Sequence, residues 1–312
     1  MTIISSEASL RVKGIGMLLR IVAVVSSSLA TVLSNALPLY FYTDLTFLSI
    51  TNTTLILFIG ALIIHGLLTH SLNDVTDYRS GTDTYSPGIL SGGSRVLQTG
   101  TLSLSNLRQI ASWITVFLVL SLALFLYFDY KEFALLTLIG LWGAISYSVK
   151  PFQLAYYPFV GEWLSLFPTM FCLGLAPAWI LLDNIPLWAW QNASVNALFC
   201  MAWVMVHHIP DRDADRQAKP VKQTTVVWAE DIFGEKGTKL PSYLYFFLVA
   251  CLLLWISLSR PFTVLGAGLL LLYSLIQVKR MDTKNLNSVT STEKKLLLTA
   301  FTTALWLGLW QV

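Results

Sequence analysis

The first stretch with chemically capable side chains is residues 73–83, where aspartates crowd together in a chain that carries few charges. Asp74 and Asp77 are three residues apart, so both carboxylates lie on one face if this segment is helical. Asp83 follows Gly81, a residue type at which the chain turns back easily. Crowded carboxylates repel each other and resist losing water, and a divalent cation relieves both costs. This spacing therefore predicts a site for such a cation.

A second aspartate-rich stretch, residues 210–216, has the same character in the other half of the chain. Asp211 and Asp215 are four residues apart, again one helical face, and Pro210 suits the first turn of a helix because it lacks an N–H. Mg²⁺ prefers oxygen ligands, takes one or two carboxylates, and often binds phosphate oxygens as well. The two stretches together predict a diphosphate held through Mg²⁺ between two loops. Solvated loop charge is the alternative, and two such clusters on one predicted side argue against it.

Cationic and aromatic side chains near both stretches could complete this site. Lys222 and Arg79 are the main expected phosphate partners, because ammonium and guanidinium groups neutralise phosphate oxygens. Aromatic faces near the aspartates could stabilise a positively charged group. The predicted catalytic residues are Asp77, Asp211, Asp215 and Lys222, and the predicted metal ligands are Asp74, Asp77, Asp83, Asp211 and Asp215. The predicted substrate-binding residues are Asn73, Arg79, Arg95, Lys150, Tyr147 and Tyr156.

The elements that must position these side chains are strongly apolar. The 312 residues are 55% hydrophobic and 12% charged, with a mean hydropathy of +0.66, whereas soluble domains carry about 25% charged residues. A soluble core could not bury so much apolar surface, but a bilayer solvates it. We therefore expect an all-α, polytopic membrane protein with nine transmembrane helices. The nine candidate spans are 15–37, 46–70, 107–128, 132–149, 157–182, 187–208, 242–259, 262–279 and 294–311.

The distribution of positive charge predicts the orientation of these spans. With nine spans, the N-terminus and the even-numbered loops share one side, and eighteen of the twenty lysines and arginines fall there. Only Lys131 and Arg260 fall on the other side. Positively charged loops face the cytoplasm, so the N-terminus and both aspartate-rich loops are expected to be cytoplasmic, in the cell inner membrane. The net charge of +3 follows from this asymmetry and requires no nucleic-acid partner.

Four histidines and one glutamate in apolar segments have less specific patterns. His65 and His70 are five residues apart, which is not the spacing of a helical metal pair, so hydrogen bonds between helices are expected. His207 and His208 are adjacent and point about 100° apart on a helix. Packing is their favoured interpretation, and a catalytic base is the alternative. Glu162 lies near the start of a predicted span, and a pocket role and a structural ion pair are equally open for it.

The two aspartate-rich stretches resemble those of the UbiA family of intramembrane prenyltransferases. These proteins have nine helices, with an Asn-Asp-x-x-Asp motif after helix two and an Asp-x-x-x-Asp motif after helix six. This chain has both motifs at those places, in residues 73–77 and 211–215, so the resemblance covers nearly all of residues 1–312 as one membrane domain. It implies Mg²⁺-dependent transfer of a prenyl group from an isoprenyl diphosphate to an aromatic acceptor.

Within that family the sequence looks most like the MenA branch, which prenylates 1,4-dihydroxy-2-naphthoate on the way to menaquinone. Asp83 follows Asp77 by six residues, and Gly-Gly-Ser-Arg-Val-Leu-Gln-Thr-Gly follows at 92–100. One departure is His-His-Ile-Pro at 207–210, where the branch usually has Asn-Asn-x-Arg. The alternatives are another acceptor, a membrane terpene cyclase without a second substrate, and a transporter, which would place ionisable residues at the membrane midplane.

Overall fold

The computed structural model describes residues 13–87 and 90–310, and within those ranges it is all-helical with connecting turns and no β-strand. This confirms the predicted all-α class for the described part of the chain. In chain order the helices are α1 (Ile21–Tyr42), α2 (Phe47–Ser80), α3 (Thr82–Tyr85), α4 (Leu104–Tyr127), α5 (Lys131–Ser148), α6 (Glu162–Leu181), α7 (Leu187–His207), α8 (Arg212–Gln217), α9 (Thr225–Phe233), α10 (Leu240–Ser257), α11 (Pro261–Arg280) and α12 (Leu286–Leu309).

Helix α2 carries the first aspartate-rich stretch near its end. It is α-helical over Phe47–Ala61, widens into a π-helical segment over Leu62–Thr69, and is α-helical again over His70–Ser80. Gly81, with a φ of 86°, ends the helix in the left-handed conformation that glycine adopts without steric cost. The first two aspartates of the stretch therefore lie on one helix, which is the condition under which their spacing places both carboxylates on one face.

Among the described residues, seven helices are long and apolar enough to cross a bilayer: α1, α2, α4, α6, α7, α10 and α11. The two other predicted spans are also helical. However, α5 begins with the charged pair Lys131 and Glu132, and the first ten residues of α12 are mostly polar. A multi-pass membrane bundle is therefore supported by length and composition, while nine transmembrane helices stays a prediction.

Helix α7 lies at the centre of the bundle and is the most completely buried of the seven candidate spans. It packs against α6, α10, α12 and α1. Its side chains Phe199 and Met205 are fully buried with Tyr245 and Phe246 of α10. Because α7 leads directly into the second aspartate-rich stretch, this packing fixes where that stretch lies.

The two aspartate-rich stretches lie at the same end of the bundle. The backbone N–H of Lys219 donates to the carbonyl of Ser80 at 2.8 Å, which joins the segment after the second stretch to the end of α2. Arg260 lies at the opposite end, where it donates to Asn192 near the start of α7 at 3.1 Å. The cytoplasmic assignment of the aspartate-bearing end stays a prediction. Arg11, which was counted among the cytoplasmic charges, lies outside the described residues.

Candidate active site

A buried lysine joins the two aspartate-rich stretches. The Nζ atom of Lys222 lies 3.1 and 3.0 Å from the two carboxylate oxygens of Asp77 and 3.8 Å from Oδ1 of Asp215. None of these three side chains is more than 10% exposed. The backbone N–H of Lys222 also donates to the carbonyl of Asp215 at 3.0 Å, which folds the chain back towards α2. One aspartate of each stretch, Asp77 and Asp215, therefore forms a cluster with the ammonium group that they share.

The neighbouring carboxylates stabilise the protonated, charged form of Lys222. Burial lowers the pKa of a lysine, but the attraction of Asp77 and Asp215 outweighs that effect and raises the pKa of Lys222 well above its ordinary value. Nζ also lies 5.9 Å from the ring centroid of Tyr156, within the range of a cation–π contact. A lysine that keeps its charge in this position can neutralise phosphate oxygens placed between the two stretches.

Asn73 connects the first aspartate-rich stretch on α2 to the end of α5. Its Nδ2 atom donates to Oδ2 of Asp77 at 2.9 Å, and its Oδ1 atom accepts from the hydroxyl of Ser148 at 3.1 Å. The carboxylate of Asp77 thus receives donors from both Asn73 and Lys222, which hold its orientation. Substrate binding by Asn73 stays a prediction.

Asp74 and Asp83 face each other across a glycine-rich turn. A β-carbon at Gly93 would lie 3.0 Å from Oδ1 of Asp74 and 3.0 Å from each carboxylate oxygen of Asp83. The N–H of Ser94 donates to Asp74 at 3.2 Å, and Nε2 of Gln98 donates to Asp83 at 3.2 Å. Only a residue without a side chain leaves both carboxylates this close to the backbone.

Asp211 is bound by the same turn. Its carboxylate accepts hydrogen bonds from the hydroxyl of Ser86, from the hydroxyl of Ser91 at 3.2 Å, and from the N–H of Gly92 at 3.0 Å. The segment between α3 and α4 therefore donates to the first aspartate of each stretch. This arrangement brings all five predicted metal ligands to one end of the bundle.

Two carboxylate oxygens in the cluster, Oδ1 of Asp83 and Oδ1 of Asp215, have no hydrogen-bond partner among the described residues. Burial and the charges of Asp77 and Asp74 raise the pKa of Asp83 to about 8. Within the same residues, no three histidine, cysteine or acidic side chains are gathered closely enough to hold a metal ion directly. That arrangement suits Mg²⁺, which takes one or two carboxylates and completes its shell with water and phosphate oxygens. Metal binding by Asp83 and Asp215 stays a prediction, which these oxygens without hydrogen-bond partners fit.

Some predicted substrate-binding residues do not reach the cluster. Arg79 and Lys150 are exposed and form no hydrogen bond or ion pair with its carboxylates in the part of the chain that the structure describes. Arg95 donates from Nη1 to the backbone carbonyl of Asp83 at 2.9 Å and so supports the turn. Phosphate binding by these three residues stays a prediction.

An apolar cavity of ≈ 320 Å³ lies within the bundle, with walls from α1, α2, α4, α5, α6 and α7. Tyr147 lines it, and the hydroxyl of Tyr147 lies 3.4 Å from Nε2 of His208, three residues before Asp211. Most of the lining is aliphatic or aromatic, for example Phe125, and the polar side chains there are His65 and several serine and threonine hydroxyls. Such a cavity suits a hydrocarbon chain.

The sequence analysis missed the donors that hold the carboxylates. Ser86, Ser91 and Ser94 all donate to predicted metal ligands. Their only signal in the sequence is a place in a glycine-rich segment soon after the first motif. Arg20 was counted only as a cytoplasmic charge, yet its guanidinium group contacts His207, four residues before Asp211.

The sequence profile of the UbiA prenyltransferase family matches residues 29–302, which is most of the chain. The chain belongs to the UbiA prenyltransferase family. This UbiA-family protein is therefore an enzyme of the prenyltransferase class, as the two motifs predicted. None of the curated proteins compared with it matches.

Solved structures share the fold of this UbiA-family protein. A UbiA homolog from Archaeoglobus fulgidus bound to GPP and Mg²⁺ has a TM-score of 0.60 at 17% identity, covering 93% of this chain and 99% of that one. An apo UbiA homolog from Aeropyrum pernix has a TM-score of 0.57 at 13% identity, covering 92% and 95%. Digeranylgeranylglyceryl phosphate synthase has a TM-score of 0.57 at 15% identity, covering 95% and 99%. These matches support the UbiA-like bundle, while the MenA branch stays a prediction.

The glycine-rich turn offers a direct test of the cluster. Gly93→Ala is expected to reduce prenyl transfer by about 100-fold, because displacing catalytic groups by about 1 Å has that effect. Gly100→Ala is the matched control: its φ of +69° resembles the +74° of Gly93, but no atom lies within 4 Å of its added β-carbon. Both variants carry the same backbone strain of about 1–2 kcal/mol. Equal loss of activity in the two, measured at matched protein yield, would show that strain alone is responsible.

Proposed function

We propose that this protein transfers a prenyl group from an isoprenyl diphosphate to an aromatic acceptor in a reaction that needs Mg²⁺. The acceptor that the sequence favours is 1,4-dihydroxy-2-naphthoate, in menaquinone-type quinone biosynthesis. The observation that carries the proposal is the position of Lys222 between the aspartates of both stretches. The homologs from Archaeoglobus fulgidus that are bound to GPP or DMAPP with Mg²⁺ support it.

The five aspartates would share two or three Mg²⁺ ions, each bound by one or two carboxylates. Asp74, Asp77 and Asp83 would bind from the end of α2, and Asp211 and Asp215 from the segment after α7. Bound there, Mg²⁺ would neutralise the diphosphate and polarise its bond to the allylic carbon. The unpaired oxygens of Asp83 and Asp215 would be satisfied by the same contacts.

The chain's own residues supply the remaining stabilisation. When the allylic C–O bond breaks, its electron pair leaves on the diphosphate, and the ammonium group of Lys222 is placed to stabilise that charge. The aromatic faces of Tyr147 and Tyr156 lie near the cluster and would stabilise the allylic cation. A ring carbon of the acceptor then forms the new C–C bond, and loss of a proton, or of CO₂ from a carboxylated carbon, restores aromaticity. The hydrocarbon tail would occupy the apolar cavity.

Pyrophosphate release in detergent tests this function. Release from farnesyl or geranylgeranyl diphosphate is expected to require both Mg²⁺ and dihydroxynaphthoate, and EDTA is expected to abolish it, because the buried carboxylates repel a diphosphate without the cation. Pyrophosphate release with hydroxybenzoate but not with dihydroxynaphthoate would indicate a different acceptor and therefore a different branch of the family. Release without any acceptor would indicate a cyclase. No release by folded protein with several chain lengths would contradict the transferase and favour the transporter.

A further inference from the structure

Three ionisable residues that the proposed reaction does not use meet beside the aspartate cluster. The Nη2 atom of Arg20 lies 3.2 Å from Nε2 of His207, and Nδ1 of His207 lies 2.8 Å from Oε1 of Glu293. Glu293 is fully buried, and His207 is only 14% exposed. We call these residues the Arg20–His207–Glu293 cluster. They come from the start of α1, the end of α7 and the first half of α12.

The hydrogen-bonding roles in this cluster follow from chemistry. A guanidinium group can only donate, so Nε2 of His207 must accept from Arg20. The proton of the neutral ring is then on Nδ1 and is donated to Glu293. Trp203 stacks on the ring of His207 with centroids 5.1 Å apart and donates from Nε1 to the backbone carbonyl of Glu293 at 3.0 Å. The imidazole is therefore held in one orientation and holds Arg20 in turn.

The guanidinium group of Arg20 keeps capacity for a further ligand. Besides His207, Nη2 donates to the backbone carbonyl of Leu90. Neither partner carries a negative charge, and Arg20 has no ion pair with a carboxylate in the described residues. Guanidinium groups have five N–H donors and bind oxyanions through two of them at once. Arg20 is thus a charged donor that is fixed in place and not neutralised by a direct partner.

The cluster lies between the apolar cavity and the aspartates. Ser27 and Ser28, two turns after Arg20 on α1, line the cavity, as does Cys200, two turns before His207 on α7. In the other direction, Arg20 donates to the carbonyl of Leu90, and the next two residues, Ser91 and Gly92, donate to Asp211. An isoprenyl diphosphate with its hydrocarbon tail in the cavity and its diphosphate at the aspartates would have its allylic carbon beside the Arg20–His207–Glu293 cluster.

We propose that Arg20 binds the anionic substituent of the acceptor, and that His207 and Glu293 are positioning residues that fix its guanidinium group. This inference rests on the proposed function, because it assumes an aromatic acceptor that must approach the allylic carbon. An oxyanion held beside that carbon fixes the acceptor ring in an attacking orientation. The donor diphosphate is the other source of an oxyanion, and the experiment separates the two.

The test compares 1,4-dihydroxy-2-naphthoate with 1,4-dihydroxynaphthalene, which lacks the carboxylate. Arg20→Gln is expected to raise the KM for dihydroxynaphthoate about 10- to 100-fold, the cost of one lost charge-assisted hydrogen bond. The KM for the donor and for the uncharged acceptor should stay near wild type, and Arg20→Lys should recover part of the loss. Lys294→Gln, which removes an exposed charge beside Glu293, is the control and should behave as wild type. An increase in donor KM with either acceptor would overturn the assignment in favour of the diphosphate.

The positioning role is tested at His207. The amide of His207→Gln can accept from Arg20 and donate to Glu293 at once, so its KM for dihydroxynaphthoate should stay close to wild type. His207→Leu breaks both bonds and should raise the same KM by a factor similar to that of Arg20→Gln, with donor KM unchanged. Equal effects of the two His207 variants would remove His207 and Glu293 from the proposal.

Binding distinguishes failure of this inference from failure of the proposed function. Protein loaded with Mg²⁺ and farnesyl thiolodiphosphate, a donor that does not react readily, is titrated with dihydroxynaphthoate by calorimetry. Binding that Arg20→Gln weakens would support the inference even if no prenyl transfer to this acceptor occurs. Binding that is absent, or equal in wild type and Arg20→Gln, would overturn the inference and leave the diphosphate site unaffected.

Discussion

Asp215→Asn is expected to reduce prenyl transfer by about a thousandfold, because one preorganised electrostatic contact is worth about 10²–10³ in rate and a lost metal ligand adds to that. Asp215 is almost fully buried, faces Lys222 and has an unpaired oxygen. The variant keeps the volume of the side chain and removes its charge. Turnover measured across a Mg²⁺ titration should show both a lower maximal rate and a higher Mg²⁺ requirement.

Asp213→Asn is the matched control for this experiment. Asp213 lies two residues earlier on the same helix, but its side chain is 76% exposed and pairs with Arg216 at 3.2 Å on the surface. Exposed pairs contribute less than about 1 kcal/mol, so transfer should remain near wild type. Comparable losses in both variants would mean that the helix α8 is disturbed as a whole, and that Asp215 has no special role.

The aspartate-rich stretches could be predicted from the sequence because their geometry is local. Spacings of three and four residues give one helical face wherever a helix forms, and α2 continues through Asp74 and Asp77 as expected. Lys222 was singled out as a phosphate partner and proves to lie between both stretches. Family membership followed from the same two motifs.

Other lysines and arginines were predicted to bind phosphate because they are close to the aspartates in the sequence, and this criterion was a poor guide to their position in the fold. Arg79 is two residues after Asp77 on the same helix, which turns its side chain roughly 200° away at 100° per residue. It is accordingly exposed. Arg20 contacts His207, which is 187 positions away in the sequence, and it was not considered as a site residue. No local pattern encodes such a contact, because it depends on how α1 and α7 pack.

The number of spans shows a second limit. Hydropathy located every long helix, since apolar runs are local signals. It assigned 294–311 as a span, whereas α12 begins at Leu286 and its first half carries buried polar residues such as Glu293. A helix that buries ionisable residues loses the composition by which spans are recognised. The same requirement that makes Glu293 useful in the inferred cluster therefore weakens the signal for its helix.

Lys222→Met is expected to have the second largest effect, on both stability and turnover. Removing one partner of a buried ion pair costs about 3–5 kcal/mol, because the other charges stay buried without compensation. Here two carboxylates, Asp77 and Asp215, would face each other across the vacated position. The unfolding midpoint in detergent should fall more in EDTA than in Mg²⁺, since a cation bound between the carboxylates replaces part of the lost charge. Turnover should fall about 100-fold through lost stabilisation of the leaving diphosphate.

Lys219→Met is the control, because that side chain is exposed three residues earlier and its removal changes the net charge equally. A double variant gives the sharper test. If Lys222→Met is unstable because its two carboxylates lack a partner, adding Asp215→Asn removes one of those charges. The unfolding midpoint should then rise part of the way back to the wild-type value, although activity stays lost. Additive destabilisation in the double variant would mean that Lys222 stabilises the fold through packing of its aliphatic stem. Its ammonium group would then serve the reaction alone, and the backbone hydrogen bond from Lys219 to Ser80 would hold the two aspartate-rich stretches together.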